Sequence, residues 1–468
     1  MIRDLLIGFG YFCLGYFIVL NGLYLAFTVM AWRELGLHGR RRRYAAVEDA
    51  FASPLTPAVS VLVPAYNEEL GIVEGVRSLL ALRYSRHEVI VVSDGSTDGT
   101  LAALQQAFDL APVRMAVRTG LQTARVRGSY VSRRDPDLWV IDKENGGKHD
   151  ALNAGLNAAR HPYICAVDAD AVLEEDALLR VALPMIEDPG HIAATGGIVR
   201  IANGCVVDHG RVIDVRLPRS RIATLQVLEY LRAFLIGRIG WSRINSLLII
   251  SGAFGFFDRR LVEAVGGWSS ATVGEDVELV IRLHRYLRER DEDYRITFIP
   301  DPVCWTEVPE DLGTLQKQRR RWHRGLGQTL WHHRDVLANP RYGVLGLFAF
   351  PYFLLFELLG PVVQTLTAPA MIGWWLLGGL TLRFAVAFLA IALLLGILLS
   401  LSALALEEIS FQRHPRARDV ARLAAYSLLD NLGYRQLNDL WRVLALGDLL
   451  RRRGEWGVQR RRGFTPAG

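Results

Sequence analysis

Two apolar runs bracket the chain, and they limit its fold more than any other feature. From Leu5 to Trp32 the sequence is almost continuously apolar over about 28 residues, and Tyr342 to Leu406 adds about 65 mostly apolar residues. A helix that crosses a bilayer needs roughly 20 such residues. A secretory leader would have a shorter apolar core and a small-residue cleavage site. Here the first run leads into Arg33 and Arg40–Arg43, the pattern of an uncleaved anchor whose following domain lies on the cytoplasmic side. The second block is punctuated by Pro351, Glu357, Pro361, Pro369 and Arg383, leaving room for two or three spans. Glu357 is costly in lipid and should face protein or a channel. The tail is again basic (Arg413, Arg416, Arg418, Arg451–Arg453, Arg460–Arg462), which places it on the cytoplasmic side too. The number of crossings after the catalytic part is then even: either two of the apolar pieces cross, or residues 420–446 contribute a further, polar-studded one.

The net charge of +6 and a pI near 9.2 would suit a nucleic-acid binder. No nucleic-acid motif accompanies them, and the arginines cluster beside the apolar segments, as membrane flanks do. Cys13, Cys165, Cys205 and Cys304 are far apart, with no C-x-x-C, so neither a zinc site nor a disulfide framework is indicated.

Between the apolar runs the pattern changes to alternating strands and helices. Val59–Pro64 reads as a strand, a helix follows to about Leu82, and His87–Ser93 forms a second strand ending in Asp94-Gly95-Ser96-Thr97-Asp98-Gly99-Thr100. This is the βαβ unit of a parallel sheet. Neither turn fits a dinucleotide fingerprint or a P-loop. Residues 111–136 read as an irregular basic excursion, and Leu138–Ile141 resumes as a strand. Tyr163–Val167 looks like a buried strand that breaks off into Asp168-Ala169-Asp170, with a helix expected over Glu174–Ile186 and a strand over His191–Ile201. Open α/β sheets bind ligands at the carboxyl ends of their strands.

Several clusters could carry chemistry. Two acids one residue apart, Asp168 and Asp170, suit a hard divalent cation; a helix cap beside a solvated acid is an equal reading. In Gly146-Gly147-Lys148 the glycines permit close backbone approach and the lysine opens an Ala-rich helix, a plausible diphosphate contact or else a flexible turn with a solvated lysine. Ser251-Gly252-Ala253-Phe254-Gly255 would keep a surface open for a flat ligand, or serve tight strand packing. Gly274-Glu275-Asp276 opens a helix with an apolar stripe, and acids there are favoured by the helix dipole, so capping is the default. Gln318-Arg319-Arg320-Arg321-Trp322 lies on a basic helix before the second apolar block, where Arg and Trp could clamp phosphate and stack a sugar or ride at the membrane interface.

The ordered set P-A-Y-N-E-E, D-G-S-T-D-G-T, G-G-K-H-D-A-L-N, D-A-D, G-E-D and Q-R-R-R-W resembles the membrane-embedded family 2 glycosyltransferases. The likeness is to the processive kind, which includes cellulose, chitin, hyaluronan and poly-N-acetylglucosamine synthases, and it runs from about Val59 to His333. It implies an α/β GT-A fold, Rossmann-like, inserted between an N-terminal transmembrane helix and a C-terminal helical membrane region. The expected organisation is an anchor over 1–33, a basic linker over 34–57, a catalytic domain with interfacial helices over 58–335, spans within 342–406 and a basic tail over 407–468.

Carried over by position, the resemblance implies that Pro64, Ala65, Tyr66, Asn67 and Glu68 line the nucleotide pocket while Asp94 meets the uracil. Lys148 would approach the diphosphate. Asp168 would face the donor ribose or a metal-bound diphosphate, and Asp170 would hold Mg²⁺ or Mn²⁺. Asp276 would be the general base with Glu275 beside it, and Gly252, Ala253 and Phe254 would form the acceptor region. Gln318, Arg321 and Trp322 match Q-x-x-R-W, with Arg321 for the leaving diphosphate and Trp322 for the acceptor sugar.

The implied partners are a UDP-sugar (UDP-GlcNAc or UDP-glucose), a polysaccharide or lipid acceptor and membrane lipid, with an accessory export or regulatory subunit compatible with them and no nucleic acid. Two departures bear on specificity: Gly274 stands where many relatives have Thr, and S-G-A-F replaces a Cys-containing form. Transfer of a single sugar to a polyprenyl-phosphate or other lipid acceptor is the alternative, and a nucleotide-binding scaffold without turnover is a third reading.

Overall fold

The computed structural model describes residues 2–44, 56–115, 120–378, 380–411, 416–450 and 465–466. The chain forms two compact units. One comprises Met1–Gly39, Ser220–Trp241 and Glu310–Gln459; the other comprises Arg40–Arg219, Ser242–Pro309 and Arg460–Gly468.

The second unit is built on a ten-stranded sheet in the order β3-β4-β5-β2-β1-β6-β11-β8-β12-β7. Its centre is made by β1 (Val59–Ala65), β2 (His87–Asp94), β5 (Leu138–Lys143) and β6 (Tyr163–Val167), all parallel. These strands read as unbroken apolar runs because both faces are covered: Val61, Val89, Ile90, Ile164 and Cys165 are fully buried. The helix Ile72–Leu80 turns Ile72, Gly75, Val76 and Leu79 inward at helical spacing.

Parallel strands put their carboxyl ends on one edge, so Ala65, Asp94, Lys143 and Val167 all end there. β11 (Phe254–Asp258) is antiparallel to β6, with Phe254 opposite Val167, so Gly252 and Ala253 enter the sheet at that edge. β8 (Ile192–Ile201) is antiparallel to β11, and β12 (Arg295–Thr306) is parallel to β8, which brings Thr306 to the same edge. A small second sheet pairs β9 (Val206–Asp208) with β10 (Arg211–Asp214) and with Thr465–Pro466.

Three expectations change. The basic excursion contains β3 (Leu110–Pro112) and β4 (Val126–Ser132), which extend the sheet antiparallel from β5. Most of β4 is exposed or half-buried, so it carries no strong apolar pattern to announce it. The helix expected from Glu174 begins at Ala177, because Val172–Leu173 is taken up as β7 against Cys304–Trp305. Residues 420–446 are not one element: helices Ala417–Leu429 and Arg435–Leu450 meet at a break where Gly433 has φ 113°. Neither helix is long enough to span a bilayer.

The other unit is helical. Its first helix, Ile2–Tyr44, includes Ile7–His38, which with Val386–Ser410 is long and apolar enough to cross a membrane. Leu345–Leu358 and Gly360–Leu376, bent by 45° at Leu359, would make a third crossing if they act as one. Large apolar side chains on these helices face outward, Ile18, Leu389 and Leu394 among them, as lipid contact requires. Glu357 accepts a hydrogen bond from Tyr352 and thus faces protein. Arg232 reaches Asp430 at 2.6 Å and Ser400 Oγ at 2.7 Å, and Arg435 joins the same carboxylate at 3.2 Å. The linker residues 45–55 and the arginines at 413, 451–453 and 460–462 lie outside the described residues.

Candidate active site

The carboxyl edge of the sheet gathers a lysine among acids. Lys148 opens the helix Lys148–Ala158, directly after Gly147 (φ 90°) turns the chain up from the edge. Its Nζ lies 2.8 Å from Asp168 Oδ1, 3.6 Å from Glu275 Oε1 and 4.0 Å from Asp276 Oδ2. Burial opposes the charge on Lys148, but Asp168, Asp276 and Glu275 outweigh it and hold the ammonium well above its ordinary pKa.

Asp276 sits in the first turn of the helix Glu275–Arg288. It does more than cap that helix: it accepts the Gly252 N–H while keeping 29% of its side chain open to the cleft. Burial pushes its carboxyl up to about 7; Glu275 and Asp168 add to the rise, while Lys148 and the Gly252 N–H oppose it. Gly252 leaves no room for a side chain. A Cβ there would fall on Asp276 Oδ2 and lie 2.6 Å from Lys148 Nζ.

Asp168 and Asp170 follow β6. Thr306 Oγ1 donates to Asp170 Oδ2 at 3.4 Å, and Asp170 is buried. The loop carrying both acids is braced from behind. Gly75 packs so closely that a Cβ there would lie 2.7 Å from the Ala169 carbonyl, while Leu173 N–H donates to Ser78 Oγ at 2.8 Å. Asp168, Glu275 and Asp276 face the Lys148 ammonium, and Asp170 lies two positions beyond Asp168; carboxylates are the ligand type that a hard divalent ion takes. The neighbouring thiols do not compete, since burial pushes Cys165 and Cys304 up and keeps them protonated.

Asp94 ends β2 with both carboxylate oxygens engaged. Lys143 Nζ and the Gly146 N–H (2.9 Å) donate to Oδ1, and the Gly147 N–H (2.7 Å) to Oδ2. The 64–68 turn is locked to the 94–100 turn. Asn67 adopts φ 57° and accepts the Thr97 N–H at 2.8 Å, and the Glu68 N–H donates to Thr100 Oγ1 at 2.8 Å. Tyr66 is exposed, while Ala65 is buried.

This unit therefore brings together the 64–68 turn, Asp94, Lys148, Asp168, Asp170, Gly252–Phe254, Glu275 and Asp276. Phe254 itself is fully buried as the start of β11. Gln318, Arg321 and Trp322 belong to the helical unit, on the helix Leu312–His332. There Trp322 lies 4.6 Å under the Arg319 guanidinium, which pairs with Glu229 at 2.9 Å. Gln318 Oε1 is buried without a hydrogen-bond partner among the described residues. No motif marks Lys143, whose Asp94 partner is 49 residues away, or Arg319, one of three consecutive arginines.

Residues 57–325 match the model of a family described as glycosyltransferase like family 2. The poly-beta-1,6-N-acetyl-D-glucosamine synthase of Staphylococcus aureus (strain COL) is 31% identical over 303 residues, covering 64% of this chain and 60% of that protein. The synthase of the same name from Staphylococcus epidermidis is 30% identical over 302 residues, with the same coverage. This chain thus spans about 60% of the length of the curated relatives it matches. Among solved structures, a mannosyltransferase from Pyrobaculum calidifontis, in complex with GDP-Man and Mn2+, superposes with a TM-score of 0.52. It is 21% identical and covers 93% of this chain and 100% of its own, a likeness of fold.

Proposed function

The chain belongs to the family 2 glycosyltransferases, and from that premise we propose that it transfers a sugar from UDP-N-acetylglucosamine or UDP-glucose to a growing β-linked polysaccharide, inverting the anomeric carbon and coupling synthesis to export. The observation that carries this reading is the placement of the Asp276 carboxylate, which accepts the Gly252 N–H and lies 4.0 Å from Lys148 Nζ, in surroundings that raise its pKa. A base with a pKa near working pH is suited to taking a proton from a sugar hydroxyl.

In the proposed reaction Asp276 accepts the acceptor hydroxyl's proton as that oxygen bonds to the anomeric carbon. The bond from that carbon to the diphosphate oxygen breaks, and UDP leaves with the electron pair. Glu275 lies beside Lys148, next to the base. Lys148 already faces several acids and has a short reach to a diphosphate seated by Asp168. Asp168 and Asp170 would hold Mg²⁺ or Mn²⁺, which when bound neutralises charge on the diphosphate. The 64–68 turn and Asp94 would line the nucleotide pocket, with the Gly252–Ala253 backbone beside the acceptor and Phe254 supporting it from within the sheet. Arg321 would meet the leaving diphosphate and Trp322 the acceptor sugar. The arginines flanking the apolar runs support a cytoplasmic catalytic unit.

The test is reconstitution in lipid vesicles with labelled UDP-sugars offered singly, with Mg²⁺ or Mn²⁺. Long labelled polymer is expected. A labelled lipid would instead identify single-sugar transfer, and no product from any donor would refute the reading. Asp276→Asn should abolish transfer while leaving UDP binding in place; continued elongation by this variant would remove Asp276 from the role of base.

A further inference from the structure

Lys143 ends β5 and is wholly buried, yet no sequence motif claims it. Its ammonium donates to the Asp94 carboxylate and to the Glu144 carbonyl at 2.7 Å, and pairs as an ion with Asp150 Oδ1 at 2.6 Å. Its partners in turn hold the rim of the cleft. Asp94 accepts the Gly146 and Gly147 N–H groups, Asn145 Nδ2 donates to the Asp94 carbonyl at 2.8 Å, and Asp150 accepts the Ala124 N–H at 3.0 Å. The two turns also interlock by shape. A Cβ on Gly95 (φ 69°) would lie 2.6 Å from the Asn145 nitrogen, and one on Gly146 would lie 2.5 Å from Asp150 Cγ. Lys143 thus ties together the end of β2, the end of β5, the paired-glycine loop and the first turn of the Lys148–Ala158 helix.

We propose that Lys143 is a positioning residue for nucleotide recognition: by fixing the Asp94 carboxylate and the Gly146–Gly147 backbone against each other, it presents the donor's nucleotide with a preformed surface. The inference rests on the reading that Asp94 lines the nucleotide pocket. Without the ammonium, Asp94 keeps a buried charge held only by two backbone N–H groups, and the loop loses its anchor. A ligand must then supply the ordering that Lys143 supplies in advance, so the effect falls on binding. None of the three partners of Lys143 is Lys148, Asp168 or Asp276, so the chemical step should be largely spared.

The test uses the full chain in detergent micelles, with UDP affinity measured by calorimetry and steady-state kinetics measured with UDP-N-acetylglucosamine. Lys143→Met should raise the UDP Kd and the donor KM by about tenfold or more, with kcat within about threefold of the unaltered protein. Because Lys143 acts through Asp94, adding Lys143→Met to Asp94→Asn should change Kd by less than about twofold beyond Asp94→Asn alone. A folded Lys143→Met protein with unchanged Kd, or one losing kcat at constant KM, would overturn the inference. Should Lys143→Met fail to fold, Asp150→Asn decides. It keeps the Asp94 pair and weakens the second anchor, so a rise of about two- to fivefold in Kd is expected and an unchanged Kd overturns the proposal. If the unaltered protein does not bind UDP at all, the donor reading itself falls and this inference goes with it.

Discussion

Gly252→Ala adds one methyl group at the point where Asp276 and Lys148 meet. The new carbon would fall on Asp276 Oδ2 and lie 2.6 Å from Lys148 Nζ, where ordinary contact begins at 3.4 Å. Lys148 must retreat by about 0.8 Å (3.4 − 2.6), and Asp276 by more. A displacement of about 1 Å in a reacting group costs on the order of 100-fold in rate, or about 2.7 kcal/mol of transition-state stabilisation. The turns at 64–68 and 94–100, proposed to line the nucleotide pocket, are held by their own hydrogen bonds and should be undisturbed. We therefore expect Gly252→Ala to lower kcat by about 100-fold, with a smaller loss of UDP affinity, about tenfold at most, from the displaced Lys148. Radiolabel incorporation into polymer and calorimetric UDP binding would measure the two quantities on one preparation. A variant that folds, binds UDP and turns over at more than about a third of the normal rate would refute the reasoning. Either Asp276 would not be the base, or its placement against Gly252 would not matter.

Other outcomes follow from the same geometry. A base must be unprotonated, and burial raises the Asp276 carboxyl from 3.8 to about 7, so kcat/KM should climb about tenfold per pH unit up to about pH 7 and level off above it; a limb ending near pH 4 in a pH–rate profile would contradict this. Asp170→Ala should weaken the metal-dependent part of UDP binding, and an affinity that ignores both the substitution and chelator would remove Asp170 as a ligand. Asp430→Ala leaves Arg232 and Arg435 facing each other across a buried site, and should destabilise the helical unit by about 3 kcal/mol or more; an unchanged melting temperature in detergent would argue against that network.

The sequence exposed the parts of this molecule whose physics is local. Strands covered on both faces appear as apolar runs, so β1, β2 and β6 were legible, and with them the edge at which Asp94 and Asp168 end. Helix starts at Lys148 and Glu275 were legible because glycine precedes each. What stayed hidden depends on pairing across distance. Asp94 and Lys143 are 49 residues apart, and nothing in either segment names the other. β4 carries no such mark, because most of it lies open or half-covered, without the alternation typical of a strand. The role of Gly252 beside Asp276 required the antiparallel entry of β11, which a motif cannot convey. The break at Gly433 was likewise masked by helical apolar spacing on both sides of it.

Glycine inside a helix is a customary target for thermostabilisation, since alanine there ordinarily contributes about 1 kcal/mol. Gly75 is an exception that a propensity scale would miss, because its empty side lies against the Ala169 carbonyl between Asp168 and Asp170. A bulkier residue at that position would tilt two carboxylates more than ninety places further along the chain. Engineers seeking a hardier enzyme would find catalytic output falling for a change made well outside any recognised motif.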